Sequence, residues 1–225
     1  MAKQSDPKLL KKIAKTIARI HSLRLPIRKN THNWQLRQMA DTLNETIKTI
    51  VPEMYYLFRE WNLPNLTQFD VHKEVQWLTK KISRLSYPLV LCHNDLLGTN
   101  ILVTDSDSEI MIIDLEYCTY GCRGYDLAVF NCQWNFEPQD YDNFALPSEE
   151  VINRFIGLYI EANEQLESGY SIREENSPDR ILCEVKHYFL VYRLFWVVFY
   201  LHLHTTMIEA LPFDRKRNYV SERDR

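Results

Sequence analysis

The sequence predicts an α+β fold, mostly helical, in which long helices surround one small hairpin core. Three observations carry this. Apolar residues recur at helical spacing over long stretches, as in Leu9, Leu10, Ile13, Ile17 and Ile20, or Val151, Ile152, Phe155 and Tyr159. Between Leu89 and Tyr117 the pattern changes to three short apolar runs broken by polar turns. Polar groups stand at the ends of those runs: His93-Asn94-Asp95, Asn100, Asp114 and Glu116. Loops at strand ends, held by a rigid scaffold, are where reactive groups tend to lie.

Asp6 is an N-cap with Pro7 at the first helical position, and this helix should end near Leu25-Pro26. His21 reads as a helix-face residue contacting its neighbours. Trp34 to Ile50 forms a second helix, with Leu36, Met39, Leu43 and Ile47 on one face. Val51-Pro52 starts a short third helix, and Asn62 to Asn65 is a loop. Asp70 caps a helix carrying Val71, Val75, Leu78 and Ile82.

Leu89 to Leu91, Ile101 to Val103 and Glu109 to Ile113 are strands, with a polar turn at Asp105 to Ser108. Tyr117 to Arg123 reads as an irregular, glycine-containing loop before the apolar run Leu127 to Phe130. Arg123 and Asp126 are three apart. They form either an ion pair that fixes the loop on its helix, or a support for the carboxylates of the site. Residues 135 to 148 make a polar loop, Ser148 caps a helix, and Glu167 to Asp179 is another loop. Ser177-Pro178 opens the last long helix.

That helix is apolar almost all round from Tyr188 to Leu201. A membrane span needs roughly 20 apolar residues, and this run is shorter and holds Arg193, so a buried helix fits it better. The resulting plan is one unit: 1–88 helical, 89–117 the catalytic hairpin, 118–210 helical, 211–225 a charged tail.

Composition narrows the classes. The 225 residues carry a formal charge of −3 with Lys and Arg dispersed, which leaves no footprint for nucleic acid. No apolar run opens the chain, so no signal peptide is expected. Five cysteines, an odd number, fit reduced thiols in the cytoplasm. Cys118 and Cys122 lack the further ligands that would complete a zinc site. The five glycines form neither a G-x-G-x-x-G nor a Walker loop.

The hairpin spacing fits phosphoryl transfer. Asp95 and Asn100 are five apart, as are the Asp and Asn of the H-R-D-x-x-x-x-N loop of protein kinases. In that template the Asp accepts a substrate hydroxyl proton, while the Asn and a later Asp hold magnesium. Asp114 occupies the later place. Magnesium favours hard oxygen ligands, which Asn100, Asp114 and Glu116 supply.

The runs Cys92-His93-Asn94-Asp95-Leu96-Leu97, Asn100-Ile101-Leu102 and Ile113-Asp114-Leu115-Glu116-Tyr117 together resemble the choline/ethanolamine kinase family. Arg123-Gly124-Tyr125-Asp126 extends the likeness, and Cys132-Gln133-Trp134 does so more weakly. The resemblance implies a protein-kinase-like, choline kinase-like large C-terminal lobe, with the N-terminal β lobe absent. It implies transfer of the ATP γ-phosphate to the hydroxyl of ethanolamine or choline, in phospholipid synthesis. Asp95 would be the base, with His93 and Asn94 beside it. Asn100 and Asp114 would meet the nucleotide and, with Glu116, Mg2+. Leu97, Gln133, Trp134, Trp196 and Phe199 would face the amino alcohol, and Arg123 and Asp126 would support the site.

Leu97 in His93-Asn94-Asp95-Leu96-Leu97 looks like the ethanolamine branch; Cys132-Gln133-Trp134 looks more like the choline branch, where Cys-Glu-Trp is usual. Neutral Gln133 removes an anion from beside a bound ammonium. The chain starts where the family's small sheet lobe ends, so a homodimer or pairing with a full-length kinase is an expected arrangement. A non-catalytic relative that binds or regulates such a kinase is the alternative. An antibiotic phosphotransferase shares the Asp…Asn…Asp core but not the Asp-x-Glu-Tyr and Arg-x-x-Asp runs.

Overall fold

The computed structural model describes residues 6–29, 34–44, 70–104, 109–133 and 146–210. In chain order the elements are α1 (Pro7–Ser22), a helical run α2 over 34–44, α3 (Val71–Ile82), β1 (Leu89–Cys92), β2 (Ile101–Val103), β3 (Ile110–Ile112), β4 (Thr119–Cys122), α4 (Arg123–Gln133), α5 (Glu149–Leu166) and α6 (Pro178–Ala210). Two compact units emerge: Met1–Trp34 with Arg84–Tyr192, and Gln35–Ser83 with Arg193–Arg225.

In the first unit α1 starts as expected, with the Asp6 carboxylate accepting from Lys8 N at 2.8 Å. It buries Ile13, Ala14, Ile17 and Ala18 and packs on α5. It stops at Ser22, short of Leu25-Pro26. The cause is tertiary: Tyr120 Oη accepts from Leu25 N at 2.9 Å and donates to Leu25 O at 3.2 Å. Those backbone groups are therefore satisfied outside a helix.

The strands form two separate antiparallel pairs. In one, β2 lies on β3 with Ile101 opposite Ile112. In the other, β1 pairs with β4, Leu89 opposite Cys122 and Cys92 opposite Thr119. This corrects the loop expected over Tyr117 to Arg123, since Thr119–Cys122 is a strand. Its sequence, Thr-Tyr-Gly-Cys, is too short and too glycine-weakened to announce one. Pairing with a strand thirty residues earlier supplies the order instead.

From β4 the chain enters α4 directly. This helix is buried from Arg123 to Cys132, with its polar Arg123, Asp126 and Asn131 hydrogen-bonded inside. It packs on β1 and β4, and Phe130 meets Phe155 of α5 at 4.3 Å between ring centroids. Gly124 allows close approach to α6: a Cβ there would lie 2.8 Å from Glu184 Cβ and 3.1 Å from Tyr188 Cδ2. Ser148 caps α5 through a bond from Val151 N, and α6 opens at Pro178 after Ser177, both as expected.

In the second unit, Leu36, Met39 and Leu43 of α2 are buried, as are Val71, Val75, Leu78 and Ile82 of α3. Asp70 caps α3 through Lys73 N. The expectations for Ile47, the helix from Val51, the loop at Asn62, the turn at Asp105 and the tail from 211 lie outside the described residues. Among the described residues, no helix is long and apolar enough to cross a membrane.

Candidate active site

The site grows out of the C-terminal end of β1. His93 and Asn94 are buried, while Asp95 is half-buried at the loop surface. Asn94 takes φ 68°, a left-handed conformation that Asn adopts more readily than most residues. That turn lifts Asp95 outward. The Asn94 amide side chain holds it by donating to Tyr117 O at 2.8 Å.

Two residues tie this loop to the hairpin. His93 Nε2–H donates to Ile113 O at 2.8 Å, and His93 Nδ1 accepts from Asp95 N at 3.2 Å. The tautomer follows from these partners, a carbonyl on one side and an amide on the other. His93 is thus a brace, with both ring nitrogens engaged. Asn100 is the second tie. Its Nδ2 donates to Asp95 Oδ2 at 2.8 Å and to Asp95 O at 2.9 Å, and its carbonyl accepts from Ile113 N at 3.0 Å.

Asp114 and Glu116 lie where β3 stops, and both are exposed. Asp114 has φ 65°, which breaks the strand. The Asp95 carboxyl is held above the usual carboxylate range, first by burial. The bond from Asn100 and the nearby His93 pull it down, and the negative charges of Asp114 and Glu116 push it further up. Asp95, Asn100, Asp114 and Glu116 therefore share one electrostatic neighbourhood.

Beneath the loop sits Asp126, fully buried on α4. Its Oδ2 accepts from His93 N at 2.7 Å and from His21 Nε2 at 3.1 Å; its Oδ1 accepts from Asn94 N at 2.8 Å. His21 Nδ1 is hydrogen-bonded in turn to Tyr159 Oη at 2.9 Å. Burial pushes the Tyr159 phenol well up, so it keeps its proton. The buried Cys92 thiol completes a His21–Cys92–Asp126 group with ligand atoms within 4.8 Å of one another. Its donors are already committed, because Cys92 Sγ gives its proton to Cys122 O and both Asp126 oxygens are taken.

Arg123 does not pair with Asp126, contrary to one expectation. It turns to Glu184 of α6, at 2.8 and 3.0 Å, and also donates to Tyr170 Oη, Asn176 Oδ1 and Glu175 O. All five guanidinium protons are used. Burial raises the Glu184 carboxyl even though Arg123 pulls it down. Asp126 does not reach the carboxylates of the hairpin either; it holds the loop backbone.

The remaining candidates fall in both units. Leu97 is half-exposed beside Gly98. Gln133 donates to Tyr192 Oη at 2.8 Å. Trp196 and Phe199 belong to the second unit and touch edge to face at 5.4 Å, so they do share a helix face. Trp134 lies outside the described residues. Sequence reasoning missed the parts played by His21, Tyr159 and Glu184. The partners of His21 are 105 and 138 residues away, so no local pattern marks it.

Comparison with known proteins gives this geometry a class. A solved ethanolamine kinase from Plasmodium vivax superposes with a TM-score of 0.64 at 23% identity, over 94% of this chain and 61% of that one. The fold is therefore kinase-like. The family profile described as choline/ethanolamine kinase matches residues 1–223. The chain belongs to the choline/ethanolamine kinase family. The mouse protein named choline/ethanolamine kinase is 28% identical over 209 residues, covering 85% of this chain and 49% of the relative. A probable ethanolamine kinase from Arabidopsis thaliana is 29% identical, covering 86% of this chain and 48% of its own. The chain thus spans about half the length of these curated relatives.

Proposed function

We propose that this chain is the large lobe of a kinase that transfers the ATP γ-phosphate to the hydroxyl of ethanolamine or choline, a step of phospholipid synthesis in the cytoplasm. One observation carries the reading most directly. Asn100, bonded to Asp95, joins it to a neighbourhood whose other acids, Asp114 and Glu116, raise its carboxyl. That is a proton acceptor next to a cluster of hard oxygen ligands, the two parts phosphoryl transfer requires.

Asp95 acts as the base. Its Oδ2 is steered by Asn100, and its raised affinity for protons suits a group that takes one from a hydroxyl. His93 and Asn94 keep Asp95 at that height above the buried loop. The donors fit magnesium: a carboxamide and two exposed carboxylates, all oxygen, crowded enough to disturb a neighbouring acid. Asn100, Asp114 and Glu116 would hold the ion, which when bound neutralises charge on the transferred phosphate. Arg123 and Asp126 act through the loop they support. The family resemblance assigns Leu97, Gln133, Trp134, Trp196 and Phe199 to the amino alcohol, whose ammonium an aromatic side chain would favour.

The test is ATP consumption with ethanolamine and with choline, for the native chain, Asp95→Ala and Asp114→Ala. Asp95→Ala should lose about 10²–10⁴ in rate, the usual worth of a general base. Asp114→Ala should need far more magnesium for the same rate. Unchanged turnover in Asp95→Ala, or an unchanged magnesium titration in Asp114→Ala, overturns the respective role. The preferred alcohol is read from the native chain.

A further inference from the structure

We propose a second small-molecule site, for an organic anion, in a cavity behind the catalytic loop and coupled to it through His21 and Asp126. The cavity measures about 600 Å³, within the range of ~300–1,000 Å³ for pockets that take small ligands. It lies wholly in the first unit, bounded by the end of α1, the start of β1, the last turns of α5 and the segment after α5. None of His93, Asn94, Asp95, Asn100, Asp114 or Glu116 lines it. It opens beside Leu89 and Val90, whereas the catalytic loop leaves β1 at Cys92, roughly 10 Å further along the strand.

The lining names the ligand class. Arg24, Lys29 and Arg173 bring three cations, against the carboxylates of Glu167 and Glu175. Arg173 is already paired with Glu167. Arg123 also borders the cavity, but Glu184 neutralises it. Arg24 and Lys29 therefore face a single carboxylate, and neither has an ion-pair partner among the described residues. The Lys29 ammonium is held 5.1 Å over the Tyr120 ring, which orders the charge without cancelling it. Leu89, Val90 and Leu166 supply an apolar wall, and Tyr159 and Asn163 a polar floor. A small anion with an apolar or planar body satisfies all three surfaces.

The floor is also the start of the support under the loop. Tyr159 and His21 both line the cavity. Tyr159 Oη bonds His21 at 2.9 Å, His21 bonds Asp126 at 3.1 Å, and Asp126 holds the amides of His93 and Asn94. A ligand resting on Tyr159 and His21 stiffens that chain, so its binding free energy is shared with the loop.

Anilinonaphthalene sulfonate, an anionic aromatic dye, is the probe. Its fluorescence titration should saturate with the native chain. Binding should weaken by about tenfold or more in the Arg24→Ala/Lys29→Ala double variant, which removes charge-assisted bonds. Met111→Ser, on the exposed face of β3, should leave it unchanged. Loss in Met111→Ser alone, or no loss in the double variant, places the dye elsewhere and overturns the site. Saturating dye should also slow hydrogen exchange of the His93 and Asn94 amides, and the Arg24→Ala/Lys29→Ala variant should lose that protection at the same dye concentration. Unaltered exchange in the native chain overturns the coupling. Neither readout needs phosphoryl transfer, so failure here and failure of the kinase reading are separable.

Discussion

The inner and outer sides of the loop after β1 are built by opposite rules. Inside, the supporting side chains are buried and committed: Asp126 accepts three bonds, and the Arg123 guanidinium donates five. Outside, Asp114 and Glu116 are exposed and Asp95 carries a disturbed carboxyl. Satisfied buried networks fix one conformation, because each unpaired member would cost so much. Crowded surface acids do the reverse, since they store a demand for a cation or a proton. The loop is therefore held in shape from below and left charged and open above.

Breaking the inner side should give the largest effect. Asp126→Ala strands the buried His93 and Asn94 amides, each worth about 1–3 kcal/mol, so stability should fall by about 2–6 kcal/mol. Denaturant unfolding reads this directly. Transfer activity should vanish with the fold, unlike Asp95→Ala, which should lose activity while unfolding at its normal midpoint. A stable Asp126→Ala chain would mean that water or another group takes the amides, and the contrast between the two sides would dissolve.

Gly124→Ala tests the same inner side through packing alone. The added methyl meets Glu184 Cβ at 2.8 Å and Glu184 carbonyl carbon at 3.0 Å, so α4 and α6 must separate. Overpacking of this kind costs about 1–3 kcal/mol. Because Glu184 would shift, the bidentate pair with Arg123 should loosen as well. A melting point equal to the native one would show that α6 yields without cost.

How much of this could be read from the sequence divides along the same line. The outer side was legible: Asp95, Asn100, Asp114 and Glu116 follow one another within a short hairpin, and local spacing determines which of them meet. The caps at Asp6, Asp70 and Ser148 were legible for the same reason, since a cap and its helix are adjacent. The inner side was not. Asp126 finds His21 across 105 residues, and Arg123 passes over the nearby Asp126 for Glu184, 61 residues on. β4 was hidden because its order comes from β1 and not from its own residues. Spacing in the chain says nothing about which buried donor reaches which acceptor once helices pack.

The smallest effect should come from neutralising the outer side. Folded Asp95 holds its proton more tightly than the unfolded chain does, because burial and its acidic neighbours disfavour the carboxylate. Its stabilising contribution is therefore complete below the ordinary value of about 4 and is lost as pH rises through the raised value. At neutral pH the ionised group works against the fold. Asp95→Asn keeps the shape and an acceptor for Asn100 but cannot ionise. Its Tm should exceed the native one at neutral pH by a few degrees at most, and the gap should close as the pH is brought down to about 4. A lower Tm at neutral pH would reverse the argument. It would mean that the bond from Asn100 and the nearby His93 stabilise the carboxylate by more than burial and two like charges cost it.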